Sequence, residues 1–386
     1  MENFEEKSCL CALNRIFGFE PRTALALLRH CGNATEIFRM KESDIDLLLG
    51  PYSKYRGKLS WKAVEKASAE LSRLSSSHIS FCGYGETSYP RILAECEDCP
   101  IGLYVRSESP TESLWRSDSI AVIGTRDISP YGREWCERIV SGLASTDLRP
   151  TIVSGLALGT DITAHRCAIE CGLPTIGVMA TGPDAIYPSR HQEFAERMVS
   201  TPGCALVTDY PPGTAPLAIH FIRRNRIIAG LSRASVLVES RIRGGGMATC
   251  RLAFSYDRDV FCLPGRINDI RSQGCNELIR QKIAEPVTSI ERLTESLGMV
   301  SVRSRDANCD ELIESIYRNR LDEAGMKCAA GLLQTIRRNT GICIDELAAS
   351  TGLDRRKVAE LVNLLEIDGL ISTDLFQRCS IKTKKM

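Results

Sequence analysis

The 386-residue sequence has almost no net charge: 49 Lys and Arg stand against 48 Asp and Glu, a formal +1. That excludes a uniformly basic nucleic-acid coat and an acidic disordered tail, so any electrostatic function must come from local clustering. Long apolar runs are also missing. The longest stretches without a charged residue are 13 residues, for example Cys171 to Pro183, short of the ~20 that a membrane-spanning helix needs. The start, Met1-Glu2-Asn3-Phe4-Glu5-Glu6, lacks the basic residues and apolar stretch of a secretory leader. A cytoplasmic location and no membrane partner are expected. Cysteine is plentiful at 17, but the residues are scattered from Cys9 to Cys379, with Cys9/Cys11, Cys96/Cys99 and Cys167/Cys171 as close pairs. Without a leader, a disulfide framework is not expected. Cys96-x-x-Cys99 has no second pair at zinc-site spacing and sits before Pro100 rather than opening a helix. Reduced, partly buried thiols are expected, with no metal and no cofactor. Internal repeats and low-complexity tracts are absent.

What is present is ordinary globular material, 43% apolar and 25% charged, long enough for two or three domains. Residues 1–75 carry helical periodicity (Leu10, Leu13, Ile16; Ala24, Leu25, Leu27, Leu28; Ile45, Leu48, Leu49) and read as a helical domain resembling helix-hairpin-helix or SAM-like modules. Packing or partner binding suits it better than DNA contact, because the hairpin lacks a Gly-x-Gly with basic neighbours. Residues 79–297 alternate short apolar runs with helical stretches. The runs are Ser119–Ile123, Thr151–Ser154, Thr175–Ala180, Ala205–Thr208, Ser235–Glu239 and Val260–Leu263; helices are expected at Tyr131–Leu143, Asp161–Cys171 and Arg190–Val199. Continuous apolar runs are strands buried on both faces, so the expected fold class is α/β: an extended Rossmann-like parallel sheet core. Ile79–Tyr104 adds a lead-in strand or extension. Residues 298–327 are polar, with charges of both signs, and read as a linker with a helical piece. Residues 328–386 give helix, helix-turn-helix and a two-stranded hairpin, a C-terminal winged-helix domain.

Ligands in open parallel sheets bind where strands end and helices begin. After the first core strand come Gly124-Thr125-Arg126 and Ser129, with hydroxyls, a guanidinium and a helix start suited to an anion. The dinucleotide fingerprint Gly-x-Gly-x-x-Gly is missing there, so a phosphate without a nicotinamide dinucleotide fits better. After the second come Gly155, Gly159 and Asp161, the last a candidate helix cap, with His165 one turn further on. Cap and hydrogen-bonded His outweigh an acid–base pair, since no nucleophile accompanies them. After the third, Tyr187 can stack on a base or pack. The strongest signal spans Phe221 to Arg251: seven arginines, 223, 224, 226, 233, 241, 243 and 251, against Glu239 alone, or +6 in 31 residues. Such concentration beside strand ends predicts an anion site. Phe221 offers a face for a base, and Asn225 can hold the loop or bond phosphate. Gly244-Gly245-Gly246, followed by Thr249 and a helix beginning near it, can form an amide nest. Walker Lys and Ser/Thr are missing, so ATP hydrolysis is not expected.

Several runs together resemble the DNA-processing protein DprA (Smf) family: Val122-Ile123-Gly124-Thr125-Arg126, Val153-Ser154-Gly155-Leu156-Ala157, Tyr210-Pro211-Pro212-Gly213-Thr214, Arg224-Asn225-Arg226-Ile227-Ile228-Ala229-Gly230-Leu231-Ser232, Leu263-Pro264-Gly265 and Ser272-Gln273-Gly274-Cys275-Asn276. The resemblance covers essentially the whole chain. It implies a non-catalytic recombination mediator that binds single-stranded DNA in its core, protects incoming strands in natural transformation, helps load RecA and works as a homodimer. It places the DNA pocket on Gly124-Thr125-Arg126, the Gly155–Asp161 loop, Phe221–Arg226 and Gly244–Thr249, with Arg126, Arg224 and Arg226 on phosphates. The chain departs from the pattern at Leu158 (frequently Arg), Ile222 (Pro), His191 (Asn), and Gly244 and Gly246 (Ser).

Two other classes stand beside this reading. The Gly244–Thr249 loop resembles that of nucleoside-monophosphate phosphoribohydrolases, but no carboxylate follows Thr249 to serve a glycosidic bond. A winged helix can read duplex DNA, yet here Arg355, Arg356 and Lys357 are mixed with Asp354, Glu360, Glu366 and Asp368, which favours partner docking or dimer regulation. Lys382, Lys384 and Lys385 add nonspecific attraction.

Overall fold

The run Ser119–Ile123 shows how the core is built. Ile120 and Val122 point into one apolar cluster and Ala121 and Ile123 into another, the outcome of a period-two strand covered on both faces. In the computed structural model, which describes residues 2–74, 77–116, 118–299, 309–318, 320–339, 341–374 and 377–381, this strand lies inside a nine-stranded sheet. Lys382, Lys384 and Lys385 fall outside the described residues.

In chain order the elements are α1 (Glu2–Phe17), α2 (Pro21–Cys31), α3 (Ala34–Arg39), α4 (Glu42–Leu49), α5 (Trp61–Leu74), β1 (Ile79–Gly83), α6 (Arg91–Ala94), β2 (Gly102–Arg106), β3 (Ser119–Ile123), α7 (Pro130–Ala144), β4 (Thr151–Ser154), α8 (Thr160–Glu170), β5 (Thr175–Val178), α9 (Gln192–Ser200), β6 (Ala205–Thr208), α10 (Ala218–Gly230), β7 (Ala234–Leu237), α11 (Gly245–Ser255), β8 (Asp259–Cys262), α12 (Gln273–Arg280), β9 (Glu285–Pro286) and α13 (Ile290–Ser296). The sheet order is β1-β2-β6-β5-β4-β3-β7-β8-β9. Pairs from β6 through β9 are parallel. β1 and β2 form an antiparallel pair that joins through β2 to β6, which is how the Ile79–Tyr104 segment extends the sheet. The chain lays β3 to β6 outward on one side, then returns to place β7 on the other side of β3. The order therefore reverses between β3 and β7, where an open α/β sheet leaves a crevice at its strand ends.

Residues 1–301 group as one compact unit. One apolar cluster runs without break from Leu13, Phe17, Leu25 and Ile37 of the first helices through Phe81, Leu103 and Tyr104 to Val153, Ile176 and Ile227 of the sheet. The opposite face is covered by α7, α8 and α13 through Ile139, Leu143, Ala164 and Leu293. The second unit, residues 302–386, holds α14 (Cys309–Tyr317), α15 (Glu323–Arg338), α16 (Ile344–Thr351) and α17 (Arg355–Ile367), with β10 (Ile342–Cys343), β11 (Ile371–Thr373) and β12 (Arg378–Ile381) in a sheet of order β10-β12-β11. Its own core includes Ile313, Leu332, Leu347, Val358, Leu361 and Ile371. The 17 cysteines are all free thiols, most of them buried. No described helix is long and apolar enough to cross a membrane.

Candidate nucleic-acid interface

The switch point between β3 and β7 opens into a cleft of about 590 Å³. Its lining includes Gly124, Thr125, Arg126, Asp161, Phe221, Arg224, Asn225, Gly244, Gly245, Gly246 and Thr249, eleven of the residues expected from sequence, now brought together. Arg241, Arg243, Ser240 and Tyr187 also line it, beside apolar residues such as Ile123, Ile222 and Ile228.

The glycine loop is the start of α11. The helix begins at Gly245, not near Thr249, and its N-cap, Gly244, is in extended conformation and has no side chain to cap the first turn. Gly244, Gly245, Gly246 and Thr249 of this helix start line the cleft, which sets the positive end of its peptide dipoles there, an arrangement that attracts anions. Gly245 has open space around its Cβ position, but Gly246 and Gly274 are crowded. A Cβ at Gly246 would lie 2.5 Å from Leu237 and one at Gly274 2.6 Å from the Ser240 carbonyl. The Ser272–Asn276 and Leu263–Gly265 runs brace this loop from behind: Gly274 donates to the Ser240 carbonyl (2.8 Å), and Asn276 bonds both the amide (3.2 Å) and the carbonyl (3.0 Å) of Gly265. Thr249 donates its hydroxyl to the Gly245 carbonyl (3.3 Å).

The helix start after β3 resembles this one in sequence and differs in state. Ser129 caps α7 through Gly132 N–H (3.0 Å). Its own amide (2.9 Å) and hydroxyl (2.5 Å) donate to the carboxylate of Glu239, which is buried at 1% exposure. The anion site expected at Ser129 is therefore filled by a side chain of the protein itself. That corrects the sequence reading. The available signal was Glu239 standing as the only acid in the basic window, at the end of the neighbouring strand.

The arginine window also divides. Helical residues advance by about 100° each, so Arg224 of α10 leaves on a different face from Arg223 and Arg226, which stand three apart and share one. Arg226, expected on phosphate, is buried and ion-paired with Asp209. Arg223 lies over the Phe19 ring at 4.4 Å and bonds the carbonyls of Gly18 and Phe19. Arg233 approaches Asp118 at 3.8 Å, and Arg251 bonds Gln281 at 2.9 Å. Arg224, Arg241 and Arg243 remain on the cleft.

Arg224 forms the floor. It is 4% exposed and donates to the carbonyls of Gly155 (2.7 Å) and Val178. Burial pushes its guanidinium down to about 10, opposed by Asp161 and reinforced by Arg126, so it stays charged at neutral pH. Gly155 makes this possible: a Cβ there would meet Arg224 and the Asp161 carboxylate at 2.5–2.6 Å. Asp161 is buried, and burial raises its carboxyl pKa against the pull of Arg224. It accepts from the Ala157 amide (3.4 Å) in the preceding loop. The N-cap position of α8 belongs to Gly159, so the expected capping role of Asp161 is corrected. Gly159 has φ +73°, and a Cβ there would meet the carbonyls of Thr125 (2.3 Å) and Arg126 (2.6 Å). His165 is fully buried. Its Nδ1 meets the Thr175 hydroxyl at 2.7 Å. That hydroxyl donates to the Ile152 carbonyl (2.7 Å), so Nδ1 carries the proton. Burial takes its pKa down to about 3, as the structural reading of this residue requires.

The cleft's upper face is aromatic. The Arg126 guanidinium lies 5.1 Å from the Phe221 ring centre, and Tyr187 meets Phe221 edge-on at 5.4 Å. The lining carries Arg126, Arg224, Arg241 and Arg243 against the single carboxylate of Asp161, a net +3. Among the described residues, Arg126, Arg241 and Arg243 have no carboxylate within 4 Å. Missed by the sequence reading as site residues were Arg241 and Arg243. Both stood in the charged window, but nothing separated them from the arginines that turn inward.

The mostly parallel sheet places a glycine-lined helix start and a net positive crevice at its switch point, an arrangement suited to an anionic ligand. A family model described as DNA recombination-mediator protein A matches residues 80–298, and the chain belongs to that family. DNA processing protein DprA of Streptococcus pneumoniae is 38% identical over 201 residues, 52% of this chain and 68% of that protein. Protein Smf of Escherichia coli K12 is 39% identical over 209 residues, 54% of each, so the match spans about half that relative's length. The X-ray structure of S. pneumoniae DprA superposes with a TM-score of 0.60 at 30% identity, covering 75% of this chain and 96% of that one. DNA processing protein A of Helicobacter pylori, solved for its single-stranded DNA binding mode, gives 0.50 at 28%, covering 57% and 97%.

Proposed function

We propose that this chain is a non-catalytic, cytoplasmic recombination mediator that holds single-stranded DNA in the β3/β7 cleft, protects strands taken up in natural transformation, helps load RecA onto them and acts as a homodimer. The observation that carries the reading is the glycine start of α11 lining one cleft with Arg126, Arg241 and Arg243, which have no carboxylate within 4 Å among the described residues. Amides and guanidinium groups suit a sugar-phosphate backbone, and Phe221 with Tyr187 suits a stacked base. The single-stranded DNA binding mode of the H. pylori relative supports the same ligand. Phosphate contacts dominate such affinity and make it salt-dependent. Fluorescence anisotropy with single- and double-stranded oligonucleotides over a salt series tests it. Tighter single-strand binding that weakens steeply with salt is expected; equal or stronger duplex binding, or none, would overturn it.

The phosphoribohydrolase alternative is not favoured. Asp161, the cleft's one carboxylate, is held beside Arg224 and an amide, and Cys250-Arg251 follow Thr249. In the second unit, α16, α17 and the three strands support a winged-helix domain that docks a partner. Arg355 is tied to Asp345 (2.7 Å) and Arg356 to Glu360 (3.4 Å), which leaves little free charge for a DNA groove.

A further inference from the structure

Beside the main cleft lies a second pocket of about 380 Å³, lined by Arg126, Arg133, Arg166 and Arg190 with Asp127, Ile128, Leu158, Gly159, Ile162 and His191. The four arginines come from four elements: the turn after β3, α7, α8 and the short turn Ser189–His191. All four are exposed. None has a carboxylate within 4 Å among the described residues. The pocket's own acid, Asp127, is already paired with Arg271 at 2.7 Å. His191 adds no charge at neutral pH, because burial lowers its pKa and Arg190 and Arg166 lower it further. Four cations thus converge without a counterion, and that repulsion is relieved by a bound polyanion. Two of the four are oriented by neighbours: Arg133 donates to the Thr163 hydroxyl (3.3 Å), and Arg166 lies 5.7 Å from the Phe194 ring centre.

Arg126 lines both pockets, so they adjoin at its side chain. We propose that the second pocket is an exit subsite. There Arg133, Arg166 and Arg190 take successive phosphates of a DNA strand leaving the main cleft past Arg126, with Leu158 and Ile162 as the apolar surface for its sugars. This rests on the single-strand reading of the main cleft, and it sets how many nucleotides the protein covers rather than whether it binds.

The test uses the full chain and its combined Arg133→Ala, Arg166→Ala, Arg190→Ala variant, titrated with oligothymidylates from roughly 4 to roughly 16 nucleotides. The shortest strands are expected to bind parent and variant alike. The longest should bind the variant about tenfold more weakly, with a salt slope smaller by about 2, from three contacts at ~0.7 each. The matching Arg→Lys triple variant should keep the parent's slope. Equal affinity and slope at every length, with the parent binding well, would overturn the subsite and leave the main cleft standing. An equal loss at every length would also overturn it, since the three arginines would then serve the main cleft or the fold. A parent that binds no single strand would instead remove the main reading itself.

Discussion

The starts of α7 and α11 look alike in sequence, each a polar or glycine-bearing turn between a buried strand and a helix, and they end in opposite states. At α7 the amide and hydroxyl of Ser129 are bonded to Glu239. At α11 the N-cap is Gly244, which has no side chain to offer the first-turn amides, and the turn lines the arginine-bearing cleft. One buried carboxylate makes the difference. A helix start is an anion site by backbone physics alone, and what decides its use is whether the fold supplies the anion or leaves it to a ligand. The arginines divide on the same principle: Arg226 is neutralised inside by Asp209, while Arg126, Arg241 and Arg243 have no such partner among the described residues.

The most severe way to break this contrast is Arg226→Ala, which leaves Asp209 charged and buried. It should cost about 3–5 kcal/mol of stability in chemical denaturation, while molecules that remain folded bind single strands with the parent's salt slope. A changed slope would return Arg226 to the interface. Glu239→Ala follows at about 2–3 kcal/mol, from the lost charged hydrogen bonds at α7. His165 sharpens the interior side of the comparison. Below pH 6.5 the unfolded chain takes up a proton that the folded imidazole refuses until about 3. Stability should therefore fall as pH drops through that window, by about 1.4 kcal/mol per unit. His165→Leu should flatten the curve between those limits, and an unflattened curve would deny the residue this role. The smallest effect is on the open side: Arg126→Ala should change stability by less than about 0.5 kcal/mol yet weaken single-strand binding about tenfold, with the salt slope falling by ~0.7.

Much of this is legible in the sequence. Core strands read clearly because burial on both faces leaves uninterrupted apolar runs, as in Ser119–Ile123. Errors gather at strand ends: Thr175–Ala180 stops at Val178 and Ser235–Glu239 at Leu237, because the residues beyond turn away to build the loops of the cleft. The start of α11 is hidden by its glycines, which are poor helix formers and are tolerated here for close packing. Composition gathers seven arginines into one window, but only the helical period, acting on a known α10 axis, separates Arg224 from Arg226. Glu239 is visible as a lone acid. Its partner Ser129 lies 110 residues away in sequence, so the pairing follows from β3 and β7 being neighbours and not from any local pattern.

Amide hydrogen exchange with and without a single-stranded oligonucleotide tests the central contrast most directly. Exchange should slow across Gly244–Thr249 on binding and stay unchanged at Ser129–Gly132, where Glu239 already holds the helix start. Protection at Ser129–Gly132 with none at Gly244–Thr249 would contradict it.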